Sequence, residues 1–230
     1  MDRQLRFNVA AYTYKYKNLQ VDFFDGTKFA FTTLNAGSLK VKGVEAEFEF
    51  APHAIEGFQL RGSLNYNSAK YGNFAGAPCY SGQTPAAGCS IDPVSRRTLQ
   101  DLSGVDTANA PRWTGSLGAN YDVPISRNLK FGMTADGRYS SSYLGSFFGD
   151  PFSRQKRFVV LNASVRIATQ DDKLELAVIG KNLTNRFYIN GVFESANTGS
   201  GTGTAAARHA DLTGFTNSPR TVQAQLTWRY

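Results

Sequence analysis

The residues with the chemistry to bond, bind or catalyse are few and scattered. Cys79 and Cys89 lie in one Gly/Pro/Ser/Ala-rich stretch, His53 and His209 are the two histidines, Glu45, Glu47 and Glu49 occupy alternate positions, and Asp92, Asp101 and Asp106 share the cysteines' polar segment. Two cysteines closing a short loop normally form a disulfide in an oxidising compartment. The alternative is a pair of reduced thiols or half a metal site, but the two distant histidines supply no obvious further zinc ligands. A nucleophile–base–acid triad needs its members adjacent in space, and His53 and His209 fall in connections expected at opposite ends of the fold. No glycine-rich phosphate cradle is followed by a lysine. The glutamate row could suggest a cation site, yet alternate glutamates also describe the wet face of a strand. The three aspartates are too loosely spaced to predict convergent calcium oxygens. The sequence therefore offers no catalytic, cofactor or metal site, and it does not predict an enzyme.

The elements that carry these residues are strands. From Thr221 to Tyr230 the chain alternates without a fault: Val222, Ala224, Leu226, Trp228 and Tyr230 are apolar, and the residues between them are polar. A strand turns successive side chains to opposite faces, so such a segment has one oily and one wet face. The pattern recurs at Val44–Phe50, Phe58–Asn67, Arg112–Val123, Leu129–Tyr143 and Val159–Ile167. Three rougher segments complete the set. Leu5–Tyr16 alternates to Ala11 and then puts Tyr12, Tyr14 and Tyr16 on the other parity, which a bulge or an interfacial tyrosine cluster would explain. Leu19–Leu34 contains the hairpin dipeptide Asp25-Gly26, but arms that short would not cross a bilayer, so one long bulged strand is expected. Leu174–Tyr188 begins amphipathic and ends in NLTNRFY.

Connections expected to be short lie at Lys17-Asn18, Pro52–Glu56, Pro124–Asn128 and Thr169–Asp172. Longer ones lie at Gly72–Ala110, Gly145–Gln155 and Asn190–Pro219, with a modest one near Asn35–Ser38. Short turns alternating with long loops describe an outer-membrane β-barrel, with turns in the periplasm and loops outside. The fold expected is all-β, an antiparallel up-and-down transmembrane barrel, present as about nine strands whose directions follow from a last strand ending in the periplasm. Tyr66, Tyr71, Trp113, Tyr139, Tyr143 and Tyr188, with Trp228 and Tyr230 on the terminal strand, read as girdle residues at headgroup depth. Phe147, Phe148 and Phe193 are aromatic loop residues that could instead touch a ligand, and the sequence does not rank them.

Composition agrees. No apolar run approaches the roughly 18 residues of a helical span, while a barrel needs only half of each strand to be apolar. The formal net charge is +7. A wet lumen and rim explain it, and so would attraction of an anionic partner such as lipopolysaccharide phosphates. Lysine and arginine form no block, so nucleic acid is not expected. The start, Met1 to Arg6, lacks an apolar stretch before a cleavage site and so reads as no signal peptide. Either the chain is not exported or it is the back part of a longer protein, and an odd strand number points to the latter.

In their order and spacing, RFNVAAYTYKYKNLQV, LKVKGVEAEFEFAP, GFQLRGSLNYNSAKY, APRWTGSLGANYDV, LAVIGKNLTNRFY and SPRTVQAQLTWRY resemble the C-terminal half of the barrel of TonB-dependent outer-membrane receptors. The resemblance spans nearly the whole chain. It implies a barrel of about 22 strands around a globular plug, of which residues 1–230 would be the C-terminal portion, strands 14 to 22. It further implies energised uptake of iron–siderophore, cobalamin or glycan, driven through TonB. The plug, the TonB box and the front strands would lie outside this chain, and the partners of the segment itself would be outer-membrane lipid and lipopolysaccharide. Two other readings stay open: a passive outer-membrane pore or adhesin, and a soluble all-β binding module.

Overall fold

The computed structural model describes residues 4–25, 30–195, 198 and 209–230. Its body is one antiparallel sheet of 8 strands in which sequence neighbours are also spatial neighbours. These wall strands are β1 (Leu5–Lys17), β2 (Ser38–Phe50), β3 (Phe58–Tyr71), β4 (Trp113–Pro124), β5 (Leu129–Ser140), β6 (Phe158–Thr169), β7 (Leu174–Lys181) and β8 (Thr221–Trp228). Among the described residues β1 and β8 each have one neighbour, so the sheet ends in two open edges. No described helix is long and apolar enough to cross a membrane.

Period-2 patterning sets the register. One transverse row runs Phe58, Tyr121, Met133, Val165, Val178, Ala224 across β3 to β8, and the next runs Gln59, Asn120, Thr134, Ser164, Ile179, Gln223. A slip of one residue would exchange the two rows and turn the oily set inward, so the pattern holds the pairing strongly. The apolar face is exposed: Phe7, Val9, Leu64, Leu117, Met133, Leu176 and Leu226 all lie open. On the polar face Thr134 and Ser164 share a hydroxyl–hydroxyl bond of 2.7 Å, as do Ser63 and Ser116.

Among the described residues the wall has eight strands against the about nine expected, because Leu19–Leu34 does not supply a wall strand. Gln20–Asp25 pairs with Ala30–Asn35 as a hairpin; Gly26 lies outside the described residues. Its stem continues the β1–β2 ribbon through Asn18 N–H to the Gly37 carbonyl and Ala36 N–H to the Leu19 carbonyl, both 2.6 Å. Bilayer-length arms were the wrong criterion, since the hairpin stands beyond the wall and closes its own backbone bonds. Lys17-Asn18 is accordingly not a short turn. The direction inferred for the first strand also reverses: β1 starts beside the 51–57 turn and runs toward the long loops. With that change the connections alternate strictly. The chain turns at one rim between β2 and β3, β4 and β5, and β6 and β7, and leaves and re-enters the wall at the other rim between β1 and β2, β3 and β4, β5 and β6, and β7 and β8.

The buried hydrophobic cluster sits at the loop rim, where the end of β3 meets the loops. Val21 and Ala36 of the hairpin pack with Tyr71, Phe74, Ala77 and Leu102, and Leu19, Val105 and Phe148 lean on them. A wall with one face oily and one wet has little interior of its own, so the loops supply it.

Candidate functional site

The polar face of β1 to β5 forms a hollow of about 440 Å³, lined by Arg6, Asn8, Glu47, Glu49, Arg61 and Arg138 among others. Glu47 accepts from Asn8 Nδ2 at 2.8 Å, and Glu49 lies 3.7 Å from Arg6. Glu47 and Glu49 are thus matched by arginine and amide partners on the wet face. Among the described residues no group of three or more His, Cys, Asp or Glu converges to hold a metal ion.

Toward the loop rim the same face changes character. The β1–β2 register runs from Leu5↔Phe50 to Lys17↔Ser38 with no shift, so there is no bulge at the tyrosines. Tyr12, Tyr14 and Tyr16 keep the parity of Arg6 and Asn8 and form a ladder on the hollow's side. Tyr12 and Tyr14 stack at 5.3 Å, and Tyr14 and Tyr16 lie at 6.4 Å. The Tyr12 hydroxyl reaches across β2 to Asn65 Oδ1 at 3.2 Å. Gly43 makes the crossing possible, because a Cβ there would meet the Tyr12 ring and hydroxyl at 2.5 Å. Stacked phenols beside Asn65 and Asn67 form a flat, hydrogen-bonding surface suited to a planar or aromatic ligand. The sequence reading located the parity switch here without assigning it to the wet face.

At the turn rim, Arg166 binds Asp122 and Glu175, the latter at 3.1 Å. Asp122 is two strands away, and Arg166 reaches it across Gly132, whose missing side chain leaves the gap. Lys130 bridges to Asp172 at 2.6 Å in the 170–173 turn, and Arg229 donates to the Asp172 carbonyl at 2.8 Å. Those contacts hold the Asp172 carboxyl below the usual carboxylate range, the lysine hydrogen bond first.

At the opposite rim the loops are tied to one another. Cys79 and Cys89 are bonded, with Cα atoms 5.8 Å apart. Buried Gln100 donates to the Pro78 and Phe148 carbonyls at 2.7 and 2.9 Å. Ser81 links two loops: its N–H donates to Glu194 at 2.8 Å, and its hydroxyl accepts from Ala210 N–H at 3.0 Å. His209 Nδ1 lies 2.8 Å from the Ser81 carbonyl, with its ring against Phe152 at 4.1 Å. Burial pushes the Glu194 and Asp150 carboxyls up, and the nearby His209 pulls each of them partly back down. Glu194 Oε1 is buried without a partner among the described residues.

The remaining sequence candidates separate. His53 is in the 51–57 turn and His209 in the loop cluster, at opposite rims. Asp92 caps Val94 and Ser95, Asp101 caps Ser103, and Asp106 pairs with Arg112 at 3.0 Å, so the three aspartates serve local turns and do not converge. Trp113 lies on the exposed apolar face at the loop rim, its ring tilted against that of Tyr66 with centroids 4.9 Å apart, and Tyr139 has the same parity on β5. Trp228 and Tyr230 lie exposed at the turn rim. Tyr143 is not a girdle residue: it stands above the wall, pairing with Gln155 and donating to the Ile189 carbonyl at 2.6 Å. Nor are Tyr71, buried in the core cluster, and Tyr188, stacked on buried Phe158 at 4.2 Å. Phe148 packs on the loop core, whereas Phe147 and Phe193 are open.

An exposed apolar band bounded by aromatics at both rims, a wet opposite face, and loops of two lengths sorted by rim define a wall of the outer-membrane β-barrel class. The family model described as "TonB dependent receptor-like, beta-barrel" matches residues 1–225, and the chain belongs to that family. It is a family of receptors and not of enzymes. No curated protein sequence matches the chain. Among solved structures, the ferric yersiniabactin uptake receptor FyuA from Yersinia pestis superposes with a TM-score of 0.63 at 15% identity, over 97% of this chain and 27% of that one. The siderophore receptor PiuA from Acinetobacter baumannii gives 0.62 at 16%, over 100% and 27%. The ferripyoverdine receptor of the outer membrane of Pseudomonas aeruginosa gives 0.53 at 16%, over 99% and 25%. The chain therefore spans about a quarter of each of these receptors.

Proposed function

We propose that this chain is the C-terminal portion of the barrel of a TonB-dependent receptor in the outer membrane of a Gram-negative bacterium, and that the receptor takes up a ferric siderophore. The observation that carries the reading is the hollow on the wet face, with Tyr12, Tyr14 and Tyr16 on the same face toward the loop rim. The named neighbours are siderophore receptors by their titles, which favours iron–siderophore over cobalamin or glycan. The two open edges favour a larger barrel over a small closed pore, since unpaired N–H and C=O groups cost several kcal/mol each in hydrocarbon. In this reading a plug and further strands close the barrel, TonB acts through the plug, and lipid covers the apolar band. The Cys79–Cys89 bond stiffens the largest loop for ligand contact.

The test is uptake of radio-iron siderophores in cells whose genomic copy of the receptor is deleted and then restored. Restored wild type should recover TonB-dependent uptake, whereas Tyr12→Ala/Tyr14→Ala should fold and insert but bind at least about tenfold more weakly, as expected when stacking surface is lost. Siderophore uptake indifferent to the deletion would refute the assignment.

A further inference from the structure

Beyond the loop-side aromatic girdle, the outer face of β1 to β3 switches from apolar to basic. The apolar parity ends at Ala11, Val44 and Tyr66, which lie side by side. The next residues of that parity are Thr13, Lys15 and Lys17 on β1, Lys42, Lys40 and Ser38 on β2, and Ser68 and Lys70 on β3. Register sets Lys15, Lys40 and Lys70 in one row across three neighbouring strands, with Lys42 one step nearer the apolar band and Lys17 one step farther. Directly opposed like charges destabilise a sheet. Lys15, Lys17, Lys40 and Lys42 have no carboxylate within ion-pair distance among the described residues, and Lys70 shares Asp106, 3.8 Å away, with Arg112. The array therefore presents unneutralised charge outward.

We propose that this lysine row binds the phosphate groups of lipopolysaccharide in the outer leaflet. The proposal rests on the reading above, in which the apolar parity meets lipid. Two features select a lipid over a lumen ligand. The row lies on the face opposite the hollow, so nothing bound beside the tyrosine ladder reaches it. It is also continuous with the apolar band, so one molecule carrying both acyl chains and phosphates covers both surfaces. Depth agrees: the Tyr66 and Trp113 rings meet at a tilt at the band's upper edge, where aromatic rings take headgroup level. Lys42 and Lys40 follow roughly 7 and 13 Å farther along the strand.

The experiment uses the whole receptor containing this chain, extracted from outer membranes and stripped of endogenous lipid. Binding of bisphosphorylated lipopolysaccharide is compared with that of its dephosphorylated form, and inorganic phosphate is tried as a competitor. Each lysine near an anionic surface contributes roughly a fivefold gain. The Lys15→Gln/Lys40→Gln/Lys42→Gln variant should therefore bind the phosphorylated lipid roughly 100-fold more weakly, with siderophore uptake unchanged. Wild type should prefer the phosphorylated form, and millimolar phosphate should not displace it. Equal affinity of wild type for the two forms overturns the proposal even if the variant does not fold, and so does displacement by phosphate. Failure of the underlying reading looks different: neither form of the lipid would then bind.

Discussion

Gly132 is the position where one added side chain should uncouple two strands that never touch. Arg166 reaches Asp122 over this glycine, and a Cβ there would stand 2.6 Å from Asp122 Oδ1 and 2.8 Å from Arg166 Cγ. Gly132→Val should therefore push the two side chains apart while leaving Arg166 on Glu175. The Arg166, Asp122 and Glu175 side chains are 28%, 44% and 16% exposed, so the lost pair lies between an exposed bridge, worth at most about 1 kcal/mol, and a buried one, whose rupture costs about 3–5 kcal/mol. Because Asp122 is the wettest partner and Arg166 keeps its other carboxylate, the value should fall at about 1–2 kcal/mol. Valine also recovers part of the roughly 0.5–1 kcal/mol that a mid-strand glycine costs, so the single mutant alone would understate the effect. A cycle with Asp122→Asn removes that term, because it is common to both backgrounds. Urea unfolding of the receptor from lipid vesicles should give a coupling of about 1–2 kcal/mol between the two substitutions. A coupling within about 0.3 kcal/mol of zero would mean that the glycine gap does not serve the ion pair.

Arginine at Met133 should cost about 2–4 kcal/mol of folding into lipid, whereas Thr134→Arg should cost little more than the lost Ser164 hydroxyl bond; similar losses at both would contradict the facing of β5. Mass spectrometry of unreduced peptides should show Cys79 and Cys89 joined, and a chain-entropy estimate gives the bond roughly 2–3 kcal/mol; two free thiols in protein taken from the outer membrane would rule this out. Glu194 and Asp150 are held above their ordinary values by burial. When a carboxyl is raised in the docked loops, they bind more protons than the undocked ones, so docking weakens as pH rises through the raised value. Amide exchange at Ser81 and Ala210, corrected for intrinsic rate, should thus be slower at mildly acidic pH than at alkaline pH, and the reverse trend would refute the burial argument.

The wall was legible because its signal is local and periodic. Met133 beside Thr134, or Leu176 beside Glu175, states two environments in adjacent letters, and pairing propagates that choice across the sheet. Sorting of loop lengths was equally visible. The hairpin of Gln20–Asp25 with Ala30–Asn35 was half legible: Asp25-Gly26 signals a turn, but β-prone residues look alike in a wall strand and in a ribbon that stands above it, so the bilayer-length criterion decided wrongly. What separates them is the packing of Val21 and Ala36 on Tyr71 and Phe74, a contact between distant loops. The loop cluster was hidden for the same reason, since Ser81 and Glu194 meet across more than a hundred residues. The tyrosine ladder lay between these cases. Its change of parity stood in the sequence, but only the unbroken β1–β2 register assigns it to the wet face.

The central claim is that one parity of the wall meets lipid and the other lines the ligand's side. A nitroxide scan tests it most directly, with single labels placed from Phe131 to Asp136 of β5 in the intact receptor in lipid. Accessibility should alternate with a period of two: labels at Phe131, Met133 and Ala135 relaxed by oxygen dissolved in the bilayer, and labels at Gly132, Thr134 and Asp136 relaxed by a water-soluble nickel chelate. A flat profile, or the opposite phase, would contradict it.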